Sequence, residues 1–284
     1  MVERFGLFGH PVRHSLSPVI HQASFRALGL DATYECFDVP PESLGDALEM
    51  CRVEGFKGIN LTVPHKVAAV PFMNRLDRYA ELFGAVNTVR FEPDGSMSGF
   101  NTDGIGFCRD LEIVGGVTPA TRRVLILGCG GAGRALAISC AMHGAEEVIL
   151  LNRTEEKAEA VAHEISAACP ECRTRVVPFS AEEWIDAAQQ ADIIVQCTTT
   201  GLNPEDVSVL PAEAFHKGQV FYDIVYVLPV TPTMAAAASA GCKVINGAGM
   251  LVRQGAESFR IWTGREPDEN AMLEALRQIL EKRR

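Results

Sequence analysis

The chain has 284 residues, 47% of them hydrophobic, which predicts about two domains of ordinary size with a substantial core. Its formal net charge of −10 argues against a nucleic-acid partner bound through phosphate contacts, although a local basic cluster could still hold a small anion. No apolar run is long enough for a transmembrane helix, and the first residues lack the pattern of a secretory signal, so we expect no membrane partner. The nine cysteines are therefore expected to be reduced thiols of a cytoplasmic protein. The single CxxC pair at 169–172 lacks the further ligands of a metal site.

Short strand and helix patterns alternate through the first hundred residues. Residues 5–8 have the apolar character of a buried strand, residues 34–39 are predicted to be the next strand, and residues 43–53 carry apolar positions at helical spacing. Ser17 is predicted to be the N-cap of a helix that Gly29 ends. These patterns predict an α/β arrangement in the first part of the chain.

Two charged residues follow strand patterns in this region. Residues 59–63 alternate apolar and polar like a half-buried strand that Pro64 ends, which would place Lys66 in a loop at the edge of a sheet. Residues 85–91 and 96–102 read as two strands around a turn, and Asp103 comes directly after them. Each residue alone is most simply a solvated loop charge. Together they are candidates for chemistry, because a carboxylate can keep a lysine ammonium charged and oriented.

The second half of the chain has a more regular pattern. A helix is predicted after Asp103, ending near Gly115, and strand patterns at 124–127, 148–151, 176–179 and 192–196 then alternate with helices. Two short strands follow at 220–225 and 244–245. Such alternation predicts a parallel, doubly wound sheet. An amphipathic helix is predicted from Asp268 onwards.

A glycine-rich loop connects the first strand of this sheet with the next helix. It reads GCGGAG and contains Gly128, Gly130, Gly131, Ala132 and Gly133. The GxGxxG string is a weak signal alone, but between a strand and a helix it is the fingerprint of a dinucleotide site. Its glycines allow a tight turn and close approach of a pyrophosphate to the helix N-terminus.

The end of the following strand indicates which dinucleotide binds. NAD sites usually carry an acidic residue there for the ribose 2′-hydroxyl, whereas this chain has Asn152, Arg153 and Thr154, with Lys157 one turn later. A guanidinium can hold a 2′-phosphate with a planar fork of donors, and the neutral neighbours can add hydrogen bonds. The sequence therefore predicts NADP as the cofactor.

Eight motifs of this chain occur in the order that is typical of one enzyme family. They are HSLSP at 14–18, NLTVPHK at 60–66, GAVNT at 84–88, GFNTDG at 99–104, GCGGAGRA at 128–135, NRT at 152–154, YDIVY at 222–226 and GAGMLVRQG at 247–255. Over nearly its full length the chain resembles the shikimate/quinate dehydrogenases. The segment 197–206 keeps only a loose likeness to the family pattern, and neither it nor Arg78 is assigned a role.

The resemblance implies roles for individual residues. Lys66 and Asp103 would be the catalytic pair, with Lys66 as the acid/base, and Ser15 and Ser17 would bind the substrate carboxylate. The remaining implied positions line the substrate ring or border the nicotinamide. Those for the ring are Thr62, Asn87, Asp103, Tyr226 and Gln254, and those for the nicotinamide are Ile224, Gly247 and Met250.

The resemblance also implies a division into domains and a reaction. Residues 1–103 and 247–284 would form the substrate-binding catalytic domain, with the C-terminal helices packed back on it, and residues 104–246 the Rossmann-type NADP domain. The implied activity is NADP-dependent, reversible reduction of 3-dehydroshikimate to shikimate in aromatic amino acid biosynthesis, by a monomer or homodimer without a metal.

Three alternative functions remain open at this point. A quinate/shikimate dehydrogenase with dual substrate use is disfavoured by Ser17 and Arg153, and a non-catalytic NADP-binding regulator by the presence of Lys66 and Asp103. The third alternative is a different NADP-dependent reductase on the same scaffold.

Overall fold

The computed structural model describes residues 2–203 and 205–282, which fall into two compact units. The first unit comprises Met1–Gly106 and Leu251–Arg284, and the second comprises Phe107–Met250. No helix among the described residues is long and apolar enough to cross a membrane.

The first unit is built on a mixed six-stranded sheet. Its strands are β1 (Glu3–Gly9), β2 (Ala32–Asp38), β3 (Gly58–Leu61), β4 (Arg75–Leu76), β5 (Thr88–Phe91) and β6 (Met97–Phe100). They lie in the order β2-β1-β3-β5-β6-β4, parallel from β2 to β3 and antiparallel from β3 to β6. The helices of this stretch are α1 (Ser17–Ala27), α2 (Leu44–Val53), α3 (His65–Ala68), α4 (Arg78–Phe83) and α5 (Asp103–Asp110), and α5 continues into a π-helical turn at Leu111–Gly115.

Two local predictions for this unit were wrong. The N-cap of α1 is Leu16, which has the non-helical dihedrals (φ −96°, ψ 0°), and Ser17 is the first helical residue. The Ser17 amide instead donates to Oγ of Ser15 at 3.2 Å, so Ser15 accepts from an N–H that has no partner within the helix. Lys66 lies not in a loop but inside α3, because His65 N–H closes a turn onto the Thr62 carbonyl at 2.8 Å.

The strand before Lys66 is also shorter and more buried than its alternating pattern suggested. All four residues of β3 are buried, because β1 and β5 flank the strand and apolar side chains cover its faces. Asn60 is therefore a polar residue inside the core, 5% exposed. A buried amide must be hydrogen-bonded, which makes its partners informative.

The second unit has a six-stranded parallel sheet. Its strands are β7 (Arg123–Leu127), β8 (Glu147–Leu151), β9 (Arg173–Val177), β10 (Ile193–Gln196), β11 (Val220–Asp223) and β12 (Lys243–Asn246), and its helices are α6 (Gly131–Met142), α7 (Glu155–Ala168), α8 (Ala181–Gln190) and α9 (Pro232–Ser239). The strands lie in the order β12-β11-β10-β7-β8-β9. From the parallel neighbours β7 and β10 the chain winds outwards in opposite directions, which confirms the predicted doubly wound sheet.

Two long helices complete the chain. They are α10 (Ala248–Thr263) and α11 (Glu269–Lys282), and α11 packs against α1 in the first unit. Met272 and Leu276 are buried on the inner face of α11, which confirms the predicted amphipathic helix. Arg253 of α10 pairs with Glu269 of α11 at 2.8 Å, so charge as well as apolar packing joins the two helices.

Candidate active site

Lys66 and Asp103 are in direct contact. The Lys66 ammonium in α3 donates to Oδ2 of Asp103, the first residue of α5, over 2.6 Å. The two side chains are only 31% and 16% exposed, so the pair is partly withdrawn from water and less screened than a surface ion pair. Neither residue is the solvated loop charge that its position in the sequence would suggest by itself.

Two asparagines hold Asp103 in place. Asn87 donates from Nδ2 to Oδ1 of Asp103 at 2.8 Å, and Asn101 accepts the Asp103 amide on Oδ1 at 3.1 Å. Oδ1 of Asn87 accepts from the Thr102 amide at 3.0 Å, so the asparagine is itself fixed by backbone. Both carboxylate oxygens of Asp103 therefore have a partner, and one of them is directed at Lys66.

A buried polar network lies behind this pair, and sequence reasoning did not find it. Asn60 accepts the Tyr34 hydroxyl at 2.8 Å and donates to the Asn87 carbonyl, Thr88 Oγ1 and Ser258 Oγ at 3.0, 3.1 and 3.0 Å. The network joins strands β2, β3 and β5 to helix α10. Because every polar group of Asn60 is used, its role is to support the neighbouring site residues. The signal in the sequence was the single asparagine inside an apolar strand.

The other residues implied for the substrate occupy different parts of the fold. Ser15 donates to Ser17 Oγ at 3.2 Å, so these two are brought together at the start of α1. Thr62 follows β3, and Gln254 lies on α10 with its amide donating to the Leu251 carbonyl at 2.8 Å. Within the described residues, neither of these two side chains hydrogen-bonds to the Lys66–Asp103 pair. Tyr226 belongs to the second unit, in the segment after β11.

The glycine loop of the second unit has two kinds of glycine. Gly128 has a positive φ of +96°, and a Cβ on Gly133 would lie 1.8 Å from the Gly128 carbonyl oxygen, so the fold itself requires both. Gly130 and Gly131 face open space at the start of α6, with nothing within 4 Å of a Cβ placed there. Helix N-termini bind anions through free amides and the helix dipole, so this opening suits a pyrophosphate. Burial raises the pKa of the Cys129 thiol to about 11, further from neutral pH than that of an ordinary cysteine.

A groove of about 570 Å³ runs from this loop along the carboxyl edge of the sheet. Arg153, Thr154 and Lys157 line it, and neither Arg153 nor Lys157 forms an ion pair with another described residue. Asn152 uses both ends of its amide within the protein, accepting from the Cys129 N–H at 2.9 Å and donating to the Thr154 carbonyl at 2.7 Å. The groove can therefore take a dinucleotide whose phosphates meet unpaired cations and free amides.

Several groove residues were not singled out from the sequence. They are the aromatic pair Phe179 and Trp184, and residues of the segment 197–206 together with its continuation: Cys197, Thr198, Thr199, Thr200, Val207, Ser208 and Val209. In the sequence, the only indication of this side of the groove was the phenylalanine at the end of the strand pattern 176–179.

The residues implied for the nicotinamide end lie at the ends of β11 and β12 and at the start of α10. A Cβ on Gly247 would lie 2.1 Å from the Ile224 carbonyl oxygen, so only glycine allows these two segments to approach. The Gly247 amide donates to Val225 at 3.2 Å, and Met250 is the third residue of α10. The structure thus brings Ile224 and Gly247 together within the second unit.

Among the described residues, no group of three or more His, Cys, Asp or Glu side chains is arranged to hold a metal ion. A doubly wound sheet with a groove at its glycine-rich loop, and a lysine–carboxylate pair in the first unit, are the features expected of an oxidoreductase that depends on a dinucleotide.

Comparison with known proteins identifies the family. Three family models match: the shikimate dehydrogenase substrate-binding domain over residues 7–89, shikimate/quinate 5-dehydrogenase over 113–241, and the shikimate 5′-dehydrogenase C-terminal domain over 247–277. The chain is 41% identical over 277 residues to the shikimate dehydrogenase (NADP(+)) of Methanopyrus kandleri, covering 97% of this chain and 95% of that protein. The chain belongs to the shikimate dehydrogenase family.

Two solved structures show how far the fold is shared. Shikimate 5-dehydrogenase from Thermus thermophilus, in complex with NADP(H) and shikimate, superposes with a TM-score of 0.85 at 40% identity, covering 97% of this chain and 99% of that one. The ligand-free 5-ketofructose reductase of a Gluconobacter strain superposes with a TM-score of 0.90 at 32% identity, covering 98% and 99%. The scaffold therefore occurs with more than one named reductase activity.

Proposed function

We propose that the protein is an NADP-dependent shikimate dehydrogenase that reversibly reduces 3-dehydroshikimate to shikimate. The observation that carries the proposal is the 2.6 Å contact between Lys66 and Asp103, held in place by Asn87. The names of the full-length relatives and the complex from Thermus thermophilus support the same substrate and cofactor. In this proposal the first unit is the substrate-binding catalytic domain, and the second unit binds NADP.

Lys66 provides the proton chemistry of the proposed reaction. When bound, NADPH supplies a hydride to the ketone carbon. The Lys66 ammonium gives a proton to the oxygen that becomes the alcohol, and its positive charge stabilises the alkoxide as it develops. Asp103 orients the ammonium and accepts a hydrogen bond from a ring hydroxyl. In the oxidation direction, neutral Lys66 takes the alcohol proton.

The remaining site residues bind and orient the two ligands. Ser15 and Ser17 receive the substrate carboxylate at the start of α1, where amides and the helix dipole favour an anion. Further contacts to the ring come from Thr62, Asn87, Tyr226 and Gln254. On the cofactor, Arg153 and Lys157 meet the 2′-phosphate, and Ile224, Gly247 and Met250 border the nicotinamide.

Replacement of Lys66 tests the catalytic role. Lys66→Ala should lower kcat for dehydroshikimate reduction by at least about a thousandfold, since it removes both the proton donor and the charge that stabilises the alkoxide. The Kd for NADPH, measured by calorimetry, should stay unchanged. Lys57→Ala, at an exposed lysine of the same unit, is the matched control and should retain full activity. An equal loss of turnover and cofactor binding in Lys66→Ala would refute the assigned role.

A second candidate function deserves the same assay, because the Gluconobacter reductase shares the fold over nearly the whole chain. We expect NADPH oxidation with 3-dehydroshikimate to exceed that with 3-dehydroquinate or 5-ketofructose, and NADPH to be used in preference to NADH. Turnover of 5-ketofructose alone would replace the proposed substrate, and turnover of none of the three would remove the proposal.

We also propose that the protein acts in the cytoplasm. All nine cysteines carry free thiols, and burial raises the pKa of several of them, among them Cys51 and Cys108 to about 12. Such thiols are poorly reactive and fit a reducing compartment.

A further inference from the structure

Phe179 is a large apolar side chain that the fold leaves 56% exposed. It lies two residues beyond β9, and its ring meets Trp184 edge-to-face, with centroids 4.6 Å apart and an interplanar angle of 84°. Trp184 is anchored in turn, because its indole N–H donates to the Pro178 carbonyl at 3.1 Å. The Phe179 ring therefore packs against Trp184 while more than half of the side chain stays exposed.

The register of the sheet places Phe179 after the strand that neighbours the one before Arg153, the cation that would meet the 2′-phosphate. Strands β8 and β9 are parallel, with Leu151 opposite Val177. Arg153 is two residues beyond Leu151, and Phe179 is two residues beyond Val177. Both residues therefore lie at the carboxyl edge of the sheet, at the same distance along the chain from a paired position. Both line the groove, together with Lys157 and Trp184.

Doubly wound sheets bind the adenosine half of a dinucleotide over the end of the second strand, here β8. The ribose then lies at Arg153, and the base extends past it towards the neighbouring strand or the opposite wall of the groove. On the β9 side the wall contains the aromatic ring of Phe179, packed against Trp184. A purine presents a π-face of matching character, whereas a phosphate gains nothing from such a ring.

We propose that Phe179 is a binding residue for the adenine ring of the cofactor, and that Arg153 and Phe179 divide recognition between them. Arg153 reads the 2′-phosphate and so sets the preference for NADP over NAD. Phe179 contacts the base, which the two cofactors share, and so contributes to the affinity for both. This inference rests on the proposed function only in assuming that the groove holds an adenine dinucleotide.

The two roles predict different kinetic signatures. Phe179→Ala should raise KM for NADPH and for NADH by the same factor, about tenfold, as expected for loss of one base–aromatic contact. Its kcat and its KM for dehydroshikimate should not change. Arg153→Ala should raise KM for NADPH alone. Phe179→Tyr, which keeps the ring, should restore wild-type KM values, and Phe72→Ala, at a 41% exposed phenylalanine of the first unit, should have no effect.

Direct binding separates this inference from the proposed function. We expect calorimetry with 2′,5′-ADP, which carries the base and the 2′-phosphate but no nicotinamide, to give a Kd about tenfold weaker in Phe179→Ala than in the wild type. If the wild-type protein binds 2′,5′-ADP but does not oxidise NADPH in the presence of dehydroshikimate, the proposed substrate is refuted and the adenine contact is not. An unchanged Kd in a Phe179→Ala protein with a wild-type melting temperature, or an effect on NADPH but not NADH, would overturn the inference.

Discussion

Asn87 and Asp103 are joined by a hydrogen bond of 2.8 Å from Nδ2 to Oδ1, on the carboxylate oxygen opposite the one that receives Lys66. The asparagine thus fixes the rotation of the carboxylate and, through it, the direction of the lysine ammonium. In the proposed reaction this arrangement would make Asn87 a positioning residue for the proton transfer as well as a candidate substrate ligand.

Asn87→Ala should therefore impair catalysis beyond its effect on substrate binding. We expect kcat for dehydroshikimate to fall about 10- to 100-fold, since a misplacement of a catalytic group by about 1 Å can cost a hundredfold. The Kd for NADP⁺ should stay at the wild-type value. Asn74→Ala, at an exposed strand-edge asparagine of the same unit, serves as the control. A change in KM with unaltered kcat would show that Asn87 only binds substrate.

Replacement by alanine should affect stability at one kind of glycine in the nucleotide loop and cofactor affinity at the other. Gly133→Ala forces a Cβ against the Gly128 carbonyl, so we expect a loss of stability of about 2 kcal/mol or more. Gly130 has the extended backbone of φ −74° and ψ −172° and open space around it, so Gly130→Ala should leave the melting temperature unchanged or slightly raised. Its affinity for NADP⁺ should nevertheless fall, because the methyl group occupies the approach of the pyrophosphate. Thermal melts and cofactor titrations of both variants check this, and full affinity in Gly130→Ala would contradict the placement of the phosphates.

The serine pair at the start of α1 should affect one ligand only. Ser15→Ala removes the hydroxyl that donates to Ser17 Oγ and the acceptor of the Ser17 amide. We expect KM for dehydroshikimate to rise about tenfold, as for the loss of one hydrogen bond to a charged group, with little change in KM for NADPH. Steady-state kinetics with each ligand varied in turn would measure this. A rise in both KM values would point to a general disturbance of the fold.

Acid sensitivity of the first unit should depend on His21. This side chain is fully buried and stacked on Tyr34, with ring centroids 4.4 Å apart, and burial lowers its pKa to about 3 from 6.5. Well above pH 6.5 the residue is neutral in both states and has no effect on the pH dependence. Between those two pKa values the unfolded chain binds a proton that the folded chain does not, so stability decreases as the pH falls.

At about pH 5 the protonation of His21 in the unfolded chain lowers the free energy of unfolding by on the order of 2 kcal/mol. His21→Phe keeps an aromatic ring against Tyr34 but has no proton to bind. The decrease in the urea midpoint between about pH 7.5 and about pH 5 should therefore be smaller in this variant than in the wild type. His163→Gln, at an exposed histidine, should behave like the wild type. An identical decrease in His21→Phe would mean that His21 is not kept neutral in the folded protein.

The nucleotide-binding unit was largely predictable because its signals are local. Strand and helix periods alternate within short windows, the glycine loop lies between β7 and α6, and Arg153 follows β8 directly. Right-handed crossovers in a parallel sheet then leave few possible topologies. In the first unit the four-residue helix α3 was missed, because a single turn is too short to produce a periodic pattern.

The sequence by itself therefore determined the fold class and pointed to a dinucleotide site, since these depend on side-chain types at short, regular spacings, whereas the roles of individual substrate residues were implied by the resemblance of the motifs to a family. Only the tertiary structure decided that Lys66 and Asp103, 37 positions apart, lie 2.6 Å from each other, and that Asn60 reaches Ser258 across 198 positions. It also decided that Phe179 and Arg153 line the same groove. Such contacts depend on how whole elements pack, and packing is set by the combined burial of many side chains rather than by any local pattern.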